Sequence, residues 1–111
     1  MFQQFFKLLM GGGNANTLKG IDFKAKFSET PNALLLDVRT SDEFKSGSLK
    51  GAKNINFLSS GFRTEVQKLD KGKTYFVYCR SGNRSGQACS IMEQLGYTAY
   101  NLSGGIGAWP K

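Results

Sequence analysis

The sequence predicts an α/β domain in three layers, a mainly parallel sheet with helices on both faces. Three observations carry this. Residues 33–38 (Ala-Leu-Leu-Leu-Asp-Val) and 74–78 (Thr-Tyr-Phe-Val-Tyr) are almost unbroken apolar runs, as strands are when a parallel sheet is covered on both sides. Stretches with helical spacing of apolar residues fall between these runs, so that strands and helices alternate along the chain. The 111 residues are enough for one core and leave little room for a second domain.

Taken in order, residues 21–28 carry Phe23 and Phe27 at i, i+4 and read as a short amphipathic helix with Asp22 at its N-cap, stopped before Thr30-Pro31. The first buried strand follows at 33–38. A short helix starts at Ser41-Asp42-Glu43-Phe44, capped by Ser41 or Asp42 and ended by Gly47. Residues 53–57 alternate polar and apolar, as a short strand does, and 62–69 look helical. Asp70-Lys71-Gly72-Lys73 is a polar turn into the strand at 74–78. A helix over 84–95 has Ala88, Ile91, Met92 and Leu95 on its apolar face and Gly96 at its end. Residues 97–102 form another strand, and Ser103-Gly104-Gly105 turns into a terminal segment with Trp109 and Pro110.

The first 13 residues are set apart as an apolar helix and a glycine hinge, leaving 14–111 as the folded domain. Phe2, Phe5, Phe6 and Leu9 line one helical face, and Gly11-Gly12-Gly13 ends it. The stretch has no basic flank and no small-residue cleavage site, so a secretory signal is not expected. Docking on the domain is favoured over membrane contact, with weak self-association as a further use. No apolar run approaches the length that spans a bilayer.

Composition excludes several chemistries. With no histidine among the 111 residues, Ser-His and Cys-His pairs, HExxH zinc sites and an imidazole base are impossible. The two cysteines, Cys79 and Cys89, have neither zinc nor CxxC spacing, and no metal or cofactor is expected. Fifteen Lys and Arg against eight Asp and Glu give a net charge of +7, which favours anionic partners. The basic residues are scattered without an aromatic-basic stripe, so nucleic-acid binding is not expected.

The chemistry points to Cys79. It ends a predicted buried strand, where ligands bind in open α/β sheets. The next residues, Arg80-Ser81-Gly82-Asn83-Arg84, lead into a helix N-terminus, whose free N–H groups and positive dipole favour an anion such as a thiolate. That field lowers the thiol pKa without a histidine. Gly82 lets the backbone curl so that N–H groups converge. Ser81, Asn83 and Ser85 suit a polar cradle and helix capping. Arg80 and Arg84 add positive charge at the two ends of the loop, matching a small anionic substrate. A single cysteine is more often a plain buried residue; the strand, glycine-bearing loop, two arginines and helix in register reverse that reading.

The chain resembles the single-domain rhodaneses over roughly residues 17–109. Leu36-Asp37-Val38-Arg39 is similar to the family's first signature strand. The stretch from Glu43 to Ile55 is similar to its E-F-x-x-G-H-I-x-G-A-x-N-I pattern, and Gly104-Gly105-Ile106-Gly107-Ala108-Trp109 to its closing G-G-x-x-x-W. Ser48 departs from the pattern, standing where many relatives have histidine. The resemblance implies a five-stranded rhodanese-like sheet and a thiosulfate sulfurtransferase. In it the Cys79 thiolate takes the outer sulfur of thiosulfate as a persulfide and passes it to cyanide or a thiol acceptor, small molecule or protein. The six-residue loop from Cys79 to Arg84 resembles the sulfurtransferases, whereas phosphatases on this fold use one residue more. The loop N–H groups from Arg80 to Arg84 would hold the terminal sulfur, and Arg84 would orient the loop or steer the anion.

Other residues have plainer readings. Asp37 and Arg39 are expected to shape the pocket through polar scaffold contacts, and Glu43 to pair with a basic residue. Cys89, the tyrosines and Trp109 are expected to pack. Two alternatives stand beside sulfur transfer: a persulfide carrier with low turnover of its own, and phosphatase or arsenate chemistry, disfavoured by the short loop. A reactive thiol suits the reducing cytoplasm.

Overall fold

The protein is described from a computed structural model, in which residues 16–111 are placed. The apolar segment and hinge expected at 1–13 lie outside them. Five strands, β1 (Thr17–Leu18), β2 (Ala33–Asp37), β3 (Lys53–Asn54), β4 (Thr74–Tyr78) and β5 (Thr98–Leu102), form one sheet in the order β1-β5-β4-β2-β3, and every pairing is parallel. The helices are α1 (Gly20–Glu29), α2 (Ser41–Lys45), α3 (Phe62–Val66) and α4 (Asn83–Gln94), with a closing 3-10 turn at Ile106–Ala108. This is the α/β sheet the alternating pattern predicts.

The central strand shows why its apolar run is unbroken. Tyr75, Val77 and Cys79 point into one core, with Ala88, Cys89 and Met92 of α4 and Phe62 and Val66 of α3. Phe76 and Tyr78 point into the other, with Phe23 of α1 and Leu102. Alternate residues serve opposite faces, and both faces are dry. Trp109 closes the second core, its ring edge-on to Phe23 and Phe27 at 6.0 and 6.1 Å between centroids. The four tyrosines pack as expected, and three also use their hydroxyls. Tyr97 donates to the carbonyls of Val66 and Leu69, Tyr75 donates to that of Asp70, and Tyr78 accepts from the Leu49 N–H.

Several boundaries differ from the sequence reading. The fifth strand, β1, has two residues and pairs with β5 at the sheet edge, too short for an alternation to appear. Helix α1 begins at Gly20 with Lys19 as N-cap, so Asp22 lies in the first turn, where an acid suits the dipole. The cap of α2 is Thr40, one residue before the expected pair. Its hydroxyl accepts from the Glu43 N–H while the Glu43 carboxylate accepts from the Thr40 N–H, a reciprocal box that outcompetes Ser41. Helix α3 stops at Val66 rather than Leu69, its last carbonyls taken by Tyr97 and by turn contacts. Strand β3 itself is Lys53–Asn54, yet the N–H groups of Ile55 and Phe57 still donate to the Asp37 and Val38 carbonyls. Helix α4 ends as expected at Gly96, where φ is +94°. The Gly96 and Tyr97 N–H groups return to the Glu93 and Met92 carbonyls in a Schellman closure.

Candidate active site

Cys79 immediately follows β4, and α4 begins four residues later at Asn83. The reversal between them depends on Gly82, the N-cap of α4, whose φ of +99° is favourable only for glycine. No side chain caps this helix. The capping that Ser81, Asn83 or Ser85 were expected to provide is supplied by the sulfur itself: Cys79 Sγ accepts from the Gly82 N–H (3.1 Å) and the Ser85 N–H (3.4 Å). Ser85 is the third helical residue, the position whose N–H an N-cap side chain ordinarily binds. Its hydroxyl also donates to Sγ, at 3.3 Å.

Cys79 and Ser85 are both fully buried. Burial on its own pushes the Cys79 thiol pKa up. The Ser85 hydroxyl and the N–H groups of Ser85, Gly82 and Ser81 more than offset it, so the thiol is shifted downward. The site thus provides what a nucleophilic sulfur requires in a protein without histidine.

The loop is clamped from beneath by the Gly104-Gly105 turn. The Ile106 N–H donates to the Cys79 carbonyl at 2.8 Å. A Cβ on Gly105 would lie 1.9 Å from the Arg80 carbonyl oxygen, and its φ is +77°. Only glycine allows the two backbones this approach. The third support is Asn101, 4% exposed on β5, whose Nδ2 donates to the Gly82 carbonyl (3.3 Å) and the Thr17 hydroxyl (3.2 Å).

The charged residues divide into three cases. Asp37 and Arg39 are buried and paired with each other at 2.7 Å, and Arg39 also donates to the Gly47 carbonyl at 2.6 Å while lying over the Tyr78 ring. Both lie beside the end of β4, where the Val38 N–H between them donates to the Tyr78 carbonyl. Arg84 is part-buried and makes a two-pronged pair with Glu43, Nη1 to Oε1 at 2.9 Å and Nη2 to Oε2 at 3.1 Å. Hydrogen bonding from Arg84, then from the Thr40 backbone, holds the Glu43 carboxyl down at about 2. Arg80 is exposed and makes no ion pair among the described residues. Ser81 and Asn83 are exposed, and Asn83 Oδ1 accepts from Gln87.

The structure therefore brings together Cys79, Arg80, Ser81, Gly82, Asn83 and Arg84 on one turn, with Asp37 and Arg39 at its flank. Sequence reasoning gave Ser85 a general polar role and left Asn101 and Thr40 aside. Ser85 follows the loop in the first turn of a helix whose dipole faces the sulfur, a spacing that was available to read. Asn101 breaks an apolar strand, which is itself a signal, but its partners become visible only through the β1–β5 pairing. Among the described residues no group of three or more His, Cys, Asp or Glu side chains is arranged to hold a metal ion.

Comparison with known proteins agrees with this architecture. The sequence profile of the rhodanese-like domain matches residues 22–111. A sulfurtransferase from Allochromatium vinosum is 33% identical over 97 residues, covering 86% of this chain and 89% of its own. The thiosulfate sulfurtransferase PspE of Escherichia coli is 35% identical over 71 residues, covering 64% and 68% of the two chains. Among solved structures, a rhodanese-like domain protein from Staphylococcus aureus superposes with a TM-score of 0.74 at 27% identity, covering 86% of this chain and 92% of its own. A rhodanese-related protein from Thermoplasma volcanium reaches the same score at 31% identity, covering 85% and 89%. The chain belongs to the rhodanese-like domain family. Its relatives support a general role in sulfur transfer.

Proposed function

We propose that the protein moves a sulfane sulfur through a persulfide on Cys79. The observation that carries this is the convergence of three donors, the Gly82 and Ser85 N–H groups and the Ser85 hydroxyl, on one buried sulfur. With thiosulfate as donor, the Cys79 thiolate attacks the outer sulfur. The S–S bond of thiosulfate breaks, its electron pair leaves with sulfite, and Cys79 keeps the sulfur as a persulfide anion. Cyanide or a thiolate acceptor then attacks the terminal sulfur, forming thiocyanate or a new persulfide and releasing the Cys79 thiolate. No proton need be relayed by the protein in either half, which is compatible with a chain lacking histidine.

The loop N–H groups from Ser81 to Ser85 provide the field that holds the terminal sulfur, on the principle that fixed dipoles stabilise charge best where water is excluded. Exposed Arg80 draws the donor to the mouth of the site. The setting is a reducing compartment, the cytoplasm, where an unmodified reactive thiol persists. Among the described residues no helix is long and apolar enough to cross a membrane.

The test is steady-state turnover with thiosulfate and cyanide, read as thiocyanate. The wild type should produce it, and Cys79→Ser should fall to background. Hydrolysis of an aryl phosphate with no thiocyanate would replace this reading with phosphatase chemistry.

A further inference from the structure

Among the described residues, the large apolar side chains left well exposed are Ile21 and Leu58, at 72% and 65%. A single exposed leucine is ordinary; these two share one rim. Ile21 lies in the first turn of α1, just past the carboxyl end of β1, and Leu58 in the turn past the carboxyl end of β3. Cys79 follows the carboxyl end of β4. Backbone contacts link the three along this end of the sheet. A Cβ on Gly20 would lie 1.9 Å from the Ala108 carbonyl oxygen, and one on Gly105 would lie 1.9 Å from that of Arg80. On the other side, the Val38 N–H donates to the Tyr78 carbonyl and the Phe57 N–H to that of Val38. Leu58 stays exposed in a turn fixed from within, its N–H donating to Asn56 Oδ1 at 2.9 Å and the Gly61 N–H to Ser59 Oγ at 3.1 Å.

The order β1-β5-β4-β2-β3 puts β4 midway between β1 and β3, two strands from each. At the usual strand spacing the two apolar residues are carried about 19 Å apart, with the loop after Cys79 about 10 Å from either. A small sulfur compound cannot touch both. A polypeptide can, since three residues of extended chain span about 10 Å. Exposed charge around the rim is mainly basic: Lys19, Lys45, Arg63 and Arg80 make no ion pair among the described residues, and the exposed acids are Asp22 and Asp42. A second copy of this chain, with its own net charge of +7, would be repelled. A nucleic acid offers neither apolar side chains for Ile21 and Leu58 nor a thiol. Cys79 is fully buried, so a thiol must be brought to it on a projecting side chain.

Resting on the persulfide reading above, we propose that this rim docks an extended acidic segment of a partner protein, with a central cysteine and an apolar residue about three positions to either side. That cysteine is the acceptor. Its thiolate attacks the terminal sulfur of the Cys79 persulfide, the bond from that sulfur to Cys79 Sγ breaks with its electron pair left on Cys79, and the sulfur departs as a persulfide on the partner. Ile21 and Leu58 touch no reacting atom and set which acceptor is served.

The probe is the peptide Leu-Glu-Glu-Cys-Glu-Glu-Leu, compared with free cysteine as acceptor from protein loaded with thiosulfate. The kcat/KM of the peptide should exceed that of free cysteine by about tenfold or more, and the advantage should shrink with added salt. Ile21→Ser and Leu58→Ser, both changes at the surface, should each lower the peptide's value about tenfold and leave free cysteine unchanged. Exchanging the peptide's Glu for Lys, or both its Leu for Ala, should bring it to the level of free cysteine or below. A peptide no better than free cysteine overturns the proposal. So does a Lys version that serves equally well, or a loss in the variants that free cysteine shares. Capture of phosphatidylserine vesicles or of an oligonucleotide, or self-association in sedimentation, overturns it too if that depends on Ile21 and Leu58 while peptide transfer does not. Failure of the underlying reading looks different: Cys79 gains no sulfur and no acceptor is served. The peptide with serine in place of cysteine would then still bind the wild type, read by fluorescence anisotropy, and bind both variants more weakly.

Discussion

At the residue scale the decisive contacts are those on the Cys79 sulfur. The backbone N–H groups of Ser85, Gly82 and Ser81 and the Ser85 hydroxyl act against burial, which alone would favour the neutral thiol. Removing the hydroxyl leaves the backbone intact, so Ser85→Ala should fold normally and lose roughly one charge-assisted hydrogen bond, about 1.5 kcal/mol. The rate of persulfide formation at neutral pH should fall about tenfold. Its pH profile should move to higher pH, because a thiol that is less stabilised as thiolate ionises later. An unchanged profile would show that Ser85 does not support the nucleophile. Glu43 offers a second measurement. Its folded-state value of about 2 is below the ordinary 4.5, so its contribution is present above pH 4.5 and is lost as pH falls from there toward 2. For a partly exposed pair this amounts to about 1 kcal/mol. Acid unfolding of Glu43→Gln should lack this component of the wild-type curve.

The turn at the candidate site was legible because strand, glycine-bearing loop and helix each leave a local mark in the sequence. The partners were not. Glu43 meets Arg84 across 41 residues of chain, and no local spacing encodes it.

At the scale of elements, the loop after Cys79 is held by pieces from three strands. The Gly104-Gly105 turn after β5 supports it from below, Asn101 ties it to β5 and β1, and the Val38 N–H binds the Tyr78 carbonyl just before it. The closing G-G-x-x-x-W pattern thus has a physical meaning at both ends. The glycines admit the loop backbone, and the tryptophan seals the second core. Gly105→Ala places a methyl group against the Arg80 carbonyl at a φ of +77°, so it should destabilise by about 3 kcal/mol or more. That corresponds to a fall in Tm of more than about 12 °C for a domain of this size. Gly107→Ala, which meets nothing within 4 Å, is the control and should change Tm little. Element boundaries were the least legible feature. Caps are settled by competition among neighbouring polar residues, as Thr40 over Ser41 shows, and strand ends by partners distant in sequence.

At the scale of the whole molecule, the alternation of buried strands with amphipathic helices gave the α/β class, and the parallel sheet follows from strands covered on both faces. The two-residue β1 has no pattern to read and owes its place to the edge of β5. Stability should be concentrated along β4, whose residues feed both cores. Phe76 is fully buried between the rings of Phe23, Phe27 and Tyr100. Phe76→Ala should cost about 3–5 kcal/mol, a large share of the total stability of about 5–15 kcal/mol usual for a domain. Denaturant unfolding will show it as a lower midpoint with an unchanged slope. A loss below about 1 kcal/mol would mean that the second core contributes less than its burial implies.

The central claim is that Cys79 carries sulfur covalently, and intact mass tests it most directly. After brief exposure to a sulfane donor and removal of the excess, the wild-type protein should be heavier by one sulfur atom, about 32 Da, and return to its original mass on addition of cyanide. Cys79→Ser should show no gain. A wild type whose mass does not change, or a gain that persists in Cys79→Ser, would contradict the account.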